Sequence, residues 1–308
     1  MFKNLIVYRI APNWSATPAQ IEEALAPGVF VECGATQQQS AGWVPPRGEA
    51  HGALLESVGG QYIARLQVET RAVPASVVRR KADEEIARIE ALTGRKPGKK
   101  ESKELREDAL LSLLPQAFPR QSAVTVWIDP TASLLMTDAG TQARADLVTT
   151  ELVKCLPGLA LTLVQTTVSP QAAMTQWLLA QSPSEWPAHL SVERECELKS
   201  TDEEKSVVRF TRHHLVNDEI RQHITQGKLP TRLALSWNGR VGFVLTESLQ
   251  LKKIAFLEGV FDDASTGKDD GFDADVAIST GELGKLLPDL IDALGGELPA
   301  QAAPAPGA

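Results

Sequence analysis

The chain has 308 residues, of which 43 % are hydrophobic and 23 % charged, and its formal net charge is −8. This apolar content excludes a wholly disordered chain and predicts a folded protein of one large domain or two to three ordinary ones. The net charge by itself argues against a nucleic-acid-binding protein, but residues 258–308 carry eleven acidic and two basic side chains, or −9, which leaves +1 for residues 1–257. The acidity is therefore local, and a basic surface elsewhere is compatible with it.

The cysteines and the N-terminal segment indicate where the protein resides. Cys33, Cys155 and Cys196 are far apart and odd in number, so they predict neither a disulfide framework nor a paired metal site, as is typical of a reducing cytoplasm. The apolar run at the start is too short for a signal peptide, and no segment approaches the ~18 apolar residues of a membrane span. We expect a cytoplasmic protein with no membrane partner.

Hydrophobic alternation and helix-start signals predict the elements in chain order. In the first half we expect strands at residues 2–10, 29–33 and 61–70, helices at 17–25, 75–92, 102–114 and 141–155, and a hairpin of 124–128 with 134–137. In the second half we expect strands at 159–164, 251–256 and 274–278, two strands between 190 and 215, and helices at 169–180, 217–226 and 281–294. A further hairpin, 231–237 with 241–246, is predicted around Asn238-Gly239.

The order of these elements predicts the fold class. Helices and strands mix without a regular βαβ period, which favours an α+β fold of mixed antiparallel sheets with flanking helices over a doubly wound sheet. Breaks near Pro74 and at residues 182–187 predict three subdomains, residues 1–74, 75–182 and 183–297. The segment 298–308 is rich in Ala and Pro and is expected to be a disordered tail.

Motifs of common catalytic and cofactor sites are missing from the sequence. It has no phosphate-binding loop, dinucleotide fingerprint, HExxH helix or GxSxG turn. The acidic stretch 268–277 lacks the residue order of a calcium loop. His213 and His214 would point to opposite faces of a strand, and no further ligand completes a site with His223. No cofactor and no metal are predicted.

One enzymatic alternative stays open at this level. Glu197 and Lys199 form an E-x-K triplet with Glu193 and Glu195 at strand spacing, and Asp129 is a conceivable partner. Clustered carboxylates and a lysine are what a metal-dependent nuclease requires. The same triplet recurs at 101–103 and 203–205, so it is close to a chance pattern.

The strongest pattern is a cationic segment at residues 79–120, with eleven basic and eight acidic side chains. Phosphate neutralisation needs many cations on one surface and no fixed spacing, although a solvated helical face with i,i+4 ion pairs would look similar. No aromatic residues interleave, so binding is expected to be to the backbone, without sequence readout. The candidate DNA-contacting residues are Arg79, Arg80, Arg95, Lys96, Lys99, Lys100 and Lys103, with Arg209, Arg212 and His213 from a second basic strand.

The cationic segment ends in the apolar sequence SLLPQAF. Leu114 and Phe118 could simply enter the core, but Pro115 and Pro119 fix Phe118 in a rigid loop after the helix. A rigid exposed aromatic is a plausible interface anchor.

Several stretches together resemble one known family over nearly the whole chain. FKNLIVYRI, GWVPPRG, SLLPQAFPR, the WID at 127–129, KLPTRLALSW and FDADVAISTGELGKLLPDLIDALGGE are similar, in order, to the RdgC family of recombination-associated proteins. Two features depart from that resemblance. Thr211 and His213 stand where the pattern is richer in lysine and amide, and the Ala/Pro tail is extra.

The resemblance implies a ring-shaped homodimer with a positively charged hole that encircles double- and single-stranded DNA. Such a protein would restrain RecA-driven strand exchange, associate with the nucleoid and have no enzymatic activity, although an old label suggests an exonuclease. The resemblance places Phe118, with Leu114 and Pro115, at a contact that closes the ring. It places the basic strand RFTRHHL, residues 209–215, near DNA or near the opposing contact.

Overall fold

The structure is a computed structural model that describes residues 2–257, 259–260 and 271–299. Its strands are β1 (Asn4–Ile10), β2 (Gln39–Val44), β3 (Leu55–Val58), β4 (Gln61–Arg71), β5 (Pro119–Asp129), β6 (Leu134–Thr137), β7 (Leu161–Leu163), β8 (Leu190–Ser200), β9 (Val207–Thr211), β10 (Lys228–Trp237), β11 (Val241–Thr246) and β12 (Leu251–Phe256). Its helices are α1 (Pro18–Leu25), α2 (Ala75–Thr93), α3 (Lys99–Leu113), α4 (Gln142–Cys155), α5 (Pro170–Leu179), α6 (Asp218–Thr225) and α7 (Gly271–Ala293). The α+β prediction is confirmed.

All twelve strands of the described ranges join in one antiparallel sheet. The order is β2-β4-β5-β6-β1-β12-β11-β10-β8-β9, with β3 beside β4 and β7 beside β1. Strand β1 connects the two halves, because Asn4 and Leu5 pair with β12 while residues 6–9 pair with β6. The chain therefore forms one sheet, and its division into three subdomains stays a prediction.

Two hydrophobic cores lie on opposite faces around β1. Ile6, Tyr8 and Ile10 enter a core with the buried faces of α1 and α4. Leu5 and Val7 enter a larger core with α5, α6 and α7. Successive strand residues point to opposite faces, so β1 is buried on both sides, and its nearly continuous apolar sequence follows from that position.

Local signals in the sequence set several element boundaries correctly. Thr17 caps α1 in a capping box with Gln20, and Ser169 and Asn217 cap α5 and α6 through backbone N–H groups of the first turn. The β10–β11 hairpin turns at Asn238 and Gly239, whose φ angles are 49° and 64°. Both central residues of this turn type need positive φ.

The strand predicted at residues 29–33 is wrong. Val29 forms one isolated bridge to Trp43, and the Phe30 N–H donates to the Trp43 carbonyl at 3.0 Å. The segment thus lies against the backbone of β2 as a strap. It passes so near Gly42 that a Cβ there would lie 2.6 Å from the Phe30 nitrogen. Its backbone groups bind β2 at too few points to form a strand.

The strand predicted at residues 274–278 and the helix start at Gly281 are also wrong, because α7 is continuous from Gly271 to Ala293. The apolar residues that alternate over a few positions also fit a helical stripe. Val276, Leu283, Leu286 and Leu290 all lie buried on one face of α7. A short apolar run does not distinguish the two periods.

Two further features complete the description of the chain. Among the helices that the structure describes, none is long and apolar enough to cross a membrane. The tail expected to be disordered lies outside the described residues from position 300 onward, as does most of the acidic loop that precedes α7.

Candidate nucleic-acid interface

The cationic segment forms a helical arm, residues 75–113, made of α2 and α3. The two helices pack mainly on each other, and the residues buried along them are Ala82 and Ala109. Gly94 ends α2 with a φ of 68°, a conformation that glycine adopts at low cost. The arm therefore presents most of its side chains to solvent.

The cations of the arm tip, residues 94–103, are exposed and weakly paired. Arg95 contacts Glu101 at 3.0 Å, and Lys100 and Lys103 lie 4.0 Å and 3.6 Å from glutamates one turn further along α3. Within the described ranges, Lys96 and Lys99 have no carboxylate within 4.0 Å. Exposed pairs contribute roughly 0–1 kcal/mol, so these cations are available to an external anion at little cost.

The base of the arm carries the other two arm cations that were predicted to contact DNA. Arg79 and Arg80 are exposed on α2, and Arg80 lies 4.0 Å from Glu84. The structure thus places seven of the ten predicted DNA-contacting residues on a single protruding element. These seven residues come from α2, from α3 and from the connection between them, and the packing of the two helices brings them onto the same arm.

The apolar end of the arm divides into a buried and an exposed part. Leu114 is fully buried and has no area left to offer to a partner. Pro115 is exposed in the short 3-10 helix Leu114–Gln116, and Phe118 is 92 % exposed just before β5. Of the three residues predicted at a dimer contact, Phe118 is therefore the one with a large apolar surface available.

The second basic group lies at the outer edge of the sheet, on β9. The Arg209 guanidinium donates to the Glu197 carboxylate of β8 at 2.6 Å, and the Thr231 hydroxyl donates to the same carboxylate at 2.8 Å. Burial by itself raises the pKa of Glu197, but these two hydrogen bonds and the charge of Arg232 outweigh it. The pKa of Glu197 is therefore lowered, and the group stays ionised beside Arg209 at neutral pH.

The register of the strands brings further charges to this face that the sequence pattern did not single out. Lys253 of β12 donates to Glu195 at 2.5 Å, and Arg232 lies opposite Glu197. Burial, followed by the charge of Arg232, lowers the pKa of Lys252. This group combines residues of β8, β10 and β12, and because β11 lies between β10 and β12, no pattern within one strand predicts it.

Arg212 and His213 follow directly after β9. Arg212 has a positive φ of 55° and an exposed side chain. The His213 ring packs against Phe210 with centroids 5.3 Å apart, and its Nε2 lies 3.7 Å from Glu219. The His213 ring is thus fixed by contacts with Phe210 and Glu219, whereas the Arg212 side chain is exposed to solvent.

The arm and the β9 group belong to different parts of the strand order. The arm joins the sheet at β5, and seven strand-to-strand steps separate β5 from β9. At about 4.8 Å per step, this corresponds to a path on the order of 30 Å along the sheet.

The carboxylates of the nuclease alternative are only partly brought together, because Glu195 and Glu197 line one cavity of about 250 Å³ but Asp129 does not line it. Glu193 accepts from Ser236 at 2.7 Å, while Glu195 and Glu197 are engaged by Lys253 and Arg209. Asp129 instead accepts backbone N–H groups in the β5–β6 turn, six strand steps from β8. Across the parts of the chain with described coordinates, no three His, Cys, Asp or Glu side chains cluster as metal ligands.

Comparisons with a family model and with curated relatives match the same family over almost the whole chain. Residues 1–297 match a family model described as "Putative exonuclease, RdgC". The recombination-associated protein RdgC of Dechloromonas aromatica (strain RCB) is 43 % identical over 303 residues, which cover 96 % of this chain and 98 % of that protein. The proteins of the same name from Herminiimonas arsenicoxydans and Bordetella pertussis are 42 % and 40 % identical, with the same two coverages. This chain belongs to the RdgC family.

Proposed function

We propose that this protein binds DNA without sequence preference, encircles it as a ring-shaped homodimer, and restrains RecA-mediated homologous recombination. A recombination-related role is supported by the relatives, which are named recombination-associated proteins. On this proposal the partners are double- and single-stranded DNA and a second copy of the chain. The antagonism of RecA arises because the ring occupies the DNA, and the protein resides at the nucleoid in the cytoplasm.

The observation that carries DNA binding is the concentration of exposed cations at the arm tip. Lys96 and Lys99 have no carboxylate partner among the described residues, and the pairs of Arg95, Lys100 and Lys103 are solvent-exposed. Bound phosphates would replace weak partners and release counterions, which makes the association favourable at low salt. No base-reading group is required, so the binding is non-specific.

Encirclement is supported by the separation of the two basic groups. One group lies on the arm and the other at the β9 edge, on the order of 30 Å apart along the sheet. A B-DNA duplex placed between them would contact both, and a second protomer would complete the enclosure. Phe118, 92 % exposed beside the arm base, offers the apolar anchor for one contact between the protomers.

We propose that this binding is non-catalytic. A nuclease that uses Glu197 and Lys199 would need a second carboxylate free to share a metal ion. The neighbouring glutamates instead bond to Ser236 and Lys253. Incubation of end-labelled DNA with magnesium or manganese tests this directly. Cleavage that the Glu197→Gln variant abolishes would overturn the non-catalytic proposal.

A salt series on duplex binding tests the proposed DNA interface. We expect log affinity to fall linearly with log salt, equally for unrelated sequences. The variant Lys99→Glu with Lys100→Glu should lower affinity for every DNA and reduce the salt slope by about one unit for each lysine that contacts a phosphate. Because both positions lie in the first turn of α3, where acidic side chains are favourable, the arm should stay folded.

The matched control reverses two lysines outside the proposed interface, Lys154 on α4 and Lys285 on α7. Both variants change the net charge by the same amount, so a general electrostatic effect would affect them equally. A loss of DNA affinity in the arm variant that the control variant does not show would support the proposed interface. A flat salt response of the unmodified protein, or equal losses in both variants, would contradict it.

A further inference from the structure

A groove on the face of the sheet that α4 leaves uncovered combines two arginines with an apolar floor. It has a volume of about 440 Å³, within the range of roughly 300–1,000 Å³ that is common for ligand sites. Arg120 of β5 and Arg144 in the first turn of α4 line it, together with the hydroxyls of Thr70 and Ser122. No feature of the proposed DNA interface uses this groove.

The two guanidinium groups in the groove lack acidic partners. The side chain of Arg144 donates to the Ser122 hydroxyl at 2.9 Å, and within the described ranges it has no carboxylate within 4.0 Å. The Arg120 side chain has neither an ion pair nor a hydrogen bond there, and no acidic residue lines the groove. Glu69, although close in sequence to Thr70, accepts from Cys33 and Gln121 instead.

The floor between the arginines is apolar. Val68 and Val124 contribute it from the sheet, and Ala143 and Leu147 contribute it from α4. Val68 and Val124 are buried, so the accessible apolar surface of the groove comes mainly from the exposed Ala143 and the half-buried Leu147. A ligand in the groove can therefore contact apolar surface as well as the two arginines.

We propose that this groove binds an acidic peptide segment of a partner protein, with carboxylates on Arg120 and Arg144 and an apolar side chain on the floor. Guanidinium groups bind carboxylates through paired hydrogen bonds. The Ser122 hydroxyl accepts from Arg144 and can still donate to the peptide backbone, whereas the Thr70 hydroxyl donates to the Arg120 carbonyl at 3.4 Å. A nucleic acid fits less well, because a phosphodiester would leave the floor in contact with water and no aromatic residue lines the groove to stack a base.

The test is fluorescence anisotropy of the full-length protein with a short labelled peptide that ends in two aspartates and a phenylalanine with a free carboxylate. We expect saturable binding. It should weaken roughly tenfold or more in Arg120→Ala with Arg144→Ala, since hydrogen bonds to charged groups are lost. The double lysine variant keeps the charge but loses the paired geometry, and we expect an intermediate loss.

Matched variants separate this proposal from DNA binding. Arg79→Ala with Arg106→Ala removes the same charge from the arm and should leave peptide affinity unchanged, as should Lys99→Glu with Lys100→Glu. If loss of the Arg144 bond to Ser122 affects folding, Arg120→Ala alone decides the outcome, because the Arg120 side chain has no partner among the residues described.

Four outcomes would overturn the peptide site. The unmodified protein could fail to bind the peptide, or it could bind a peptide with both aspartates replaced by asparagine equally well. A single-stranded oligonucleotide could displace the peptide while the double alanine variant loses DNA affinity, which would make the groove a phosphate site. The double alanine variant could also change its oligomeric state, which would make the groove a contact between copies. None of the four decides whether the arm binds DNA.

Discussion

The guanidinium of Arg209 donates to the carboxylate of Glu197 across β8 and β9 at 2.6 Å. The arginine is 69 % exposed and the glutamate 14 %, so the acid is fixed in the sheet while the base lies at the surface. Glu197 therefore holds the position that a DNA phosphate would occupy on Arg209. If β9 contacts DNA, this carboxylate competes with the ligand.

Replacement of Glu197 by Gln should strengthen DNA binding. The freed guanidinium can engage phosphate, and we expect affinity to rise up to about fivefold, as loss of an exposed pair worth at most ~1 kcal/mol allows. A salt series should also become steeper. Glu203→Gln removes the same charge from the exposed β8–β9 loop. Equal effects of the two variants would show that only net charge matters, and no effect would show that β9 does not contact DNA.

Acid should remove the stabilisation that this carboxylate provides. The pKa of Glu197 lies below its ordinary value of 4.5 in the folded protein. Its contribution to stability is therefore complete above that value and is lost as the pH falls through the lower, folded pKa. As the pH is lowered from neutral to about pH 3, the melting temperature should fall less steeply for Glu197→Gln than for the unmodified protein. Parallel curves would contradict the assignment.

Phe118→Ala should weaken dimerisation much more than folding. The side chain is 92 % exposed, so its loss should change the free energy of unfolding by no more than about 0.5 kcal/mol. An interface anchor of this kind typically contributes ~2 kcal/mol or more, or roughly 30-fold in the dimer dissociation constant. Light scattering and thermal melting separate the two effects. Val31→Ala, at a site that is 71 % exposed, is the control, and an unchanged dimer constant for Phe118→Ala would refute its interface role.

Two glycines predict opposite effects of the same substitution. A Cβ on Gly42 would lie 2.6 Å from the Phe30 nitrogen, so Gly42→Ala must displace the strap over β2 and should cost about 1–3 kcal/mol. Gly284 lies inside α7 with no atom within 4 Å of an added Cβ. Gly284→Ala should therefore stabilise by about 0.5–1 kcal/mol. Chemical denaturation measures both, and a neutral Gly42→Ala would show that the strap is not closely packed.

The thiols should differ sharply in reactivity. Cys196 is 1 % exposed, and burial raises its pKa to about 12. Cys33 is also buried, and burial followed by the nearby Glu69 raises its pKa. Thiolates are the reactive species, so only Cys155 should react quickly with a chromogenic disulfide reagent under native conditions. Denaturant should expose all three, and Cys155→Ala should abolish the fast phase.

Sequence patterns predicted the parts of this fold that depend on neighbouring residues. The Thr17 cap and the Asn238-Gly239 turn depend on backbone geometry within a few positions, and both are present. The period of α7 was ambiguous over residues 274–278 because an apolar run of that length fits both a strand and a helix. Only packing of Val276 into the larger core, with α5 and α6, decides between them.

The candidate site could be predicted less well from the sequence, for a different physical reason. Counting charges located the cations of the arm, but it could not show which of them had partners. The pair of Arg209 and Glu197 and the groove of Arg120 and Arg144 both depend on strand register and on where a helix stops covering the sheet. Residues far apart in sequence meet there, and no local pattern records it.

The position of β1 has a consequence for the order in which the chain folds. Asn4 and Leu5 pair with Lys252 and Leu251, and Arg9 forms an ion pair with Glu297. The first strand to be synthesised thus forms part of its contacts with residues that are made near the end of synthesis. Contacts between residues so far apart in the sequence slow folding. The partners β6 and β7 and the helices α1 and α4 are made by about the middle of the chain, so the face of Ile6, Tyr8 and Ile10 can be covered early. The edge at Asn4 and Leu5 stays unpaired until β12 is made, and aggregation through that edge is the competing reaction until then.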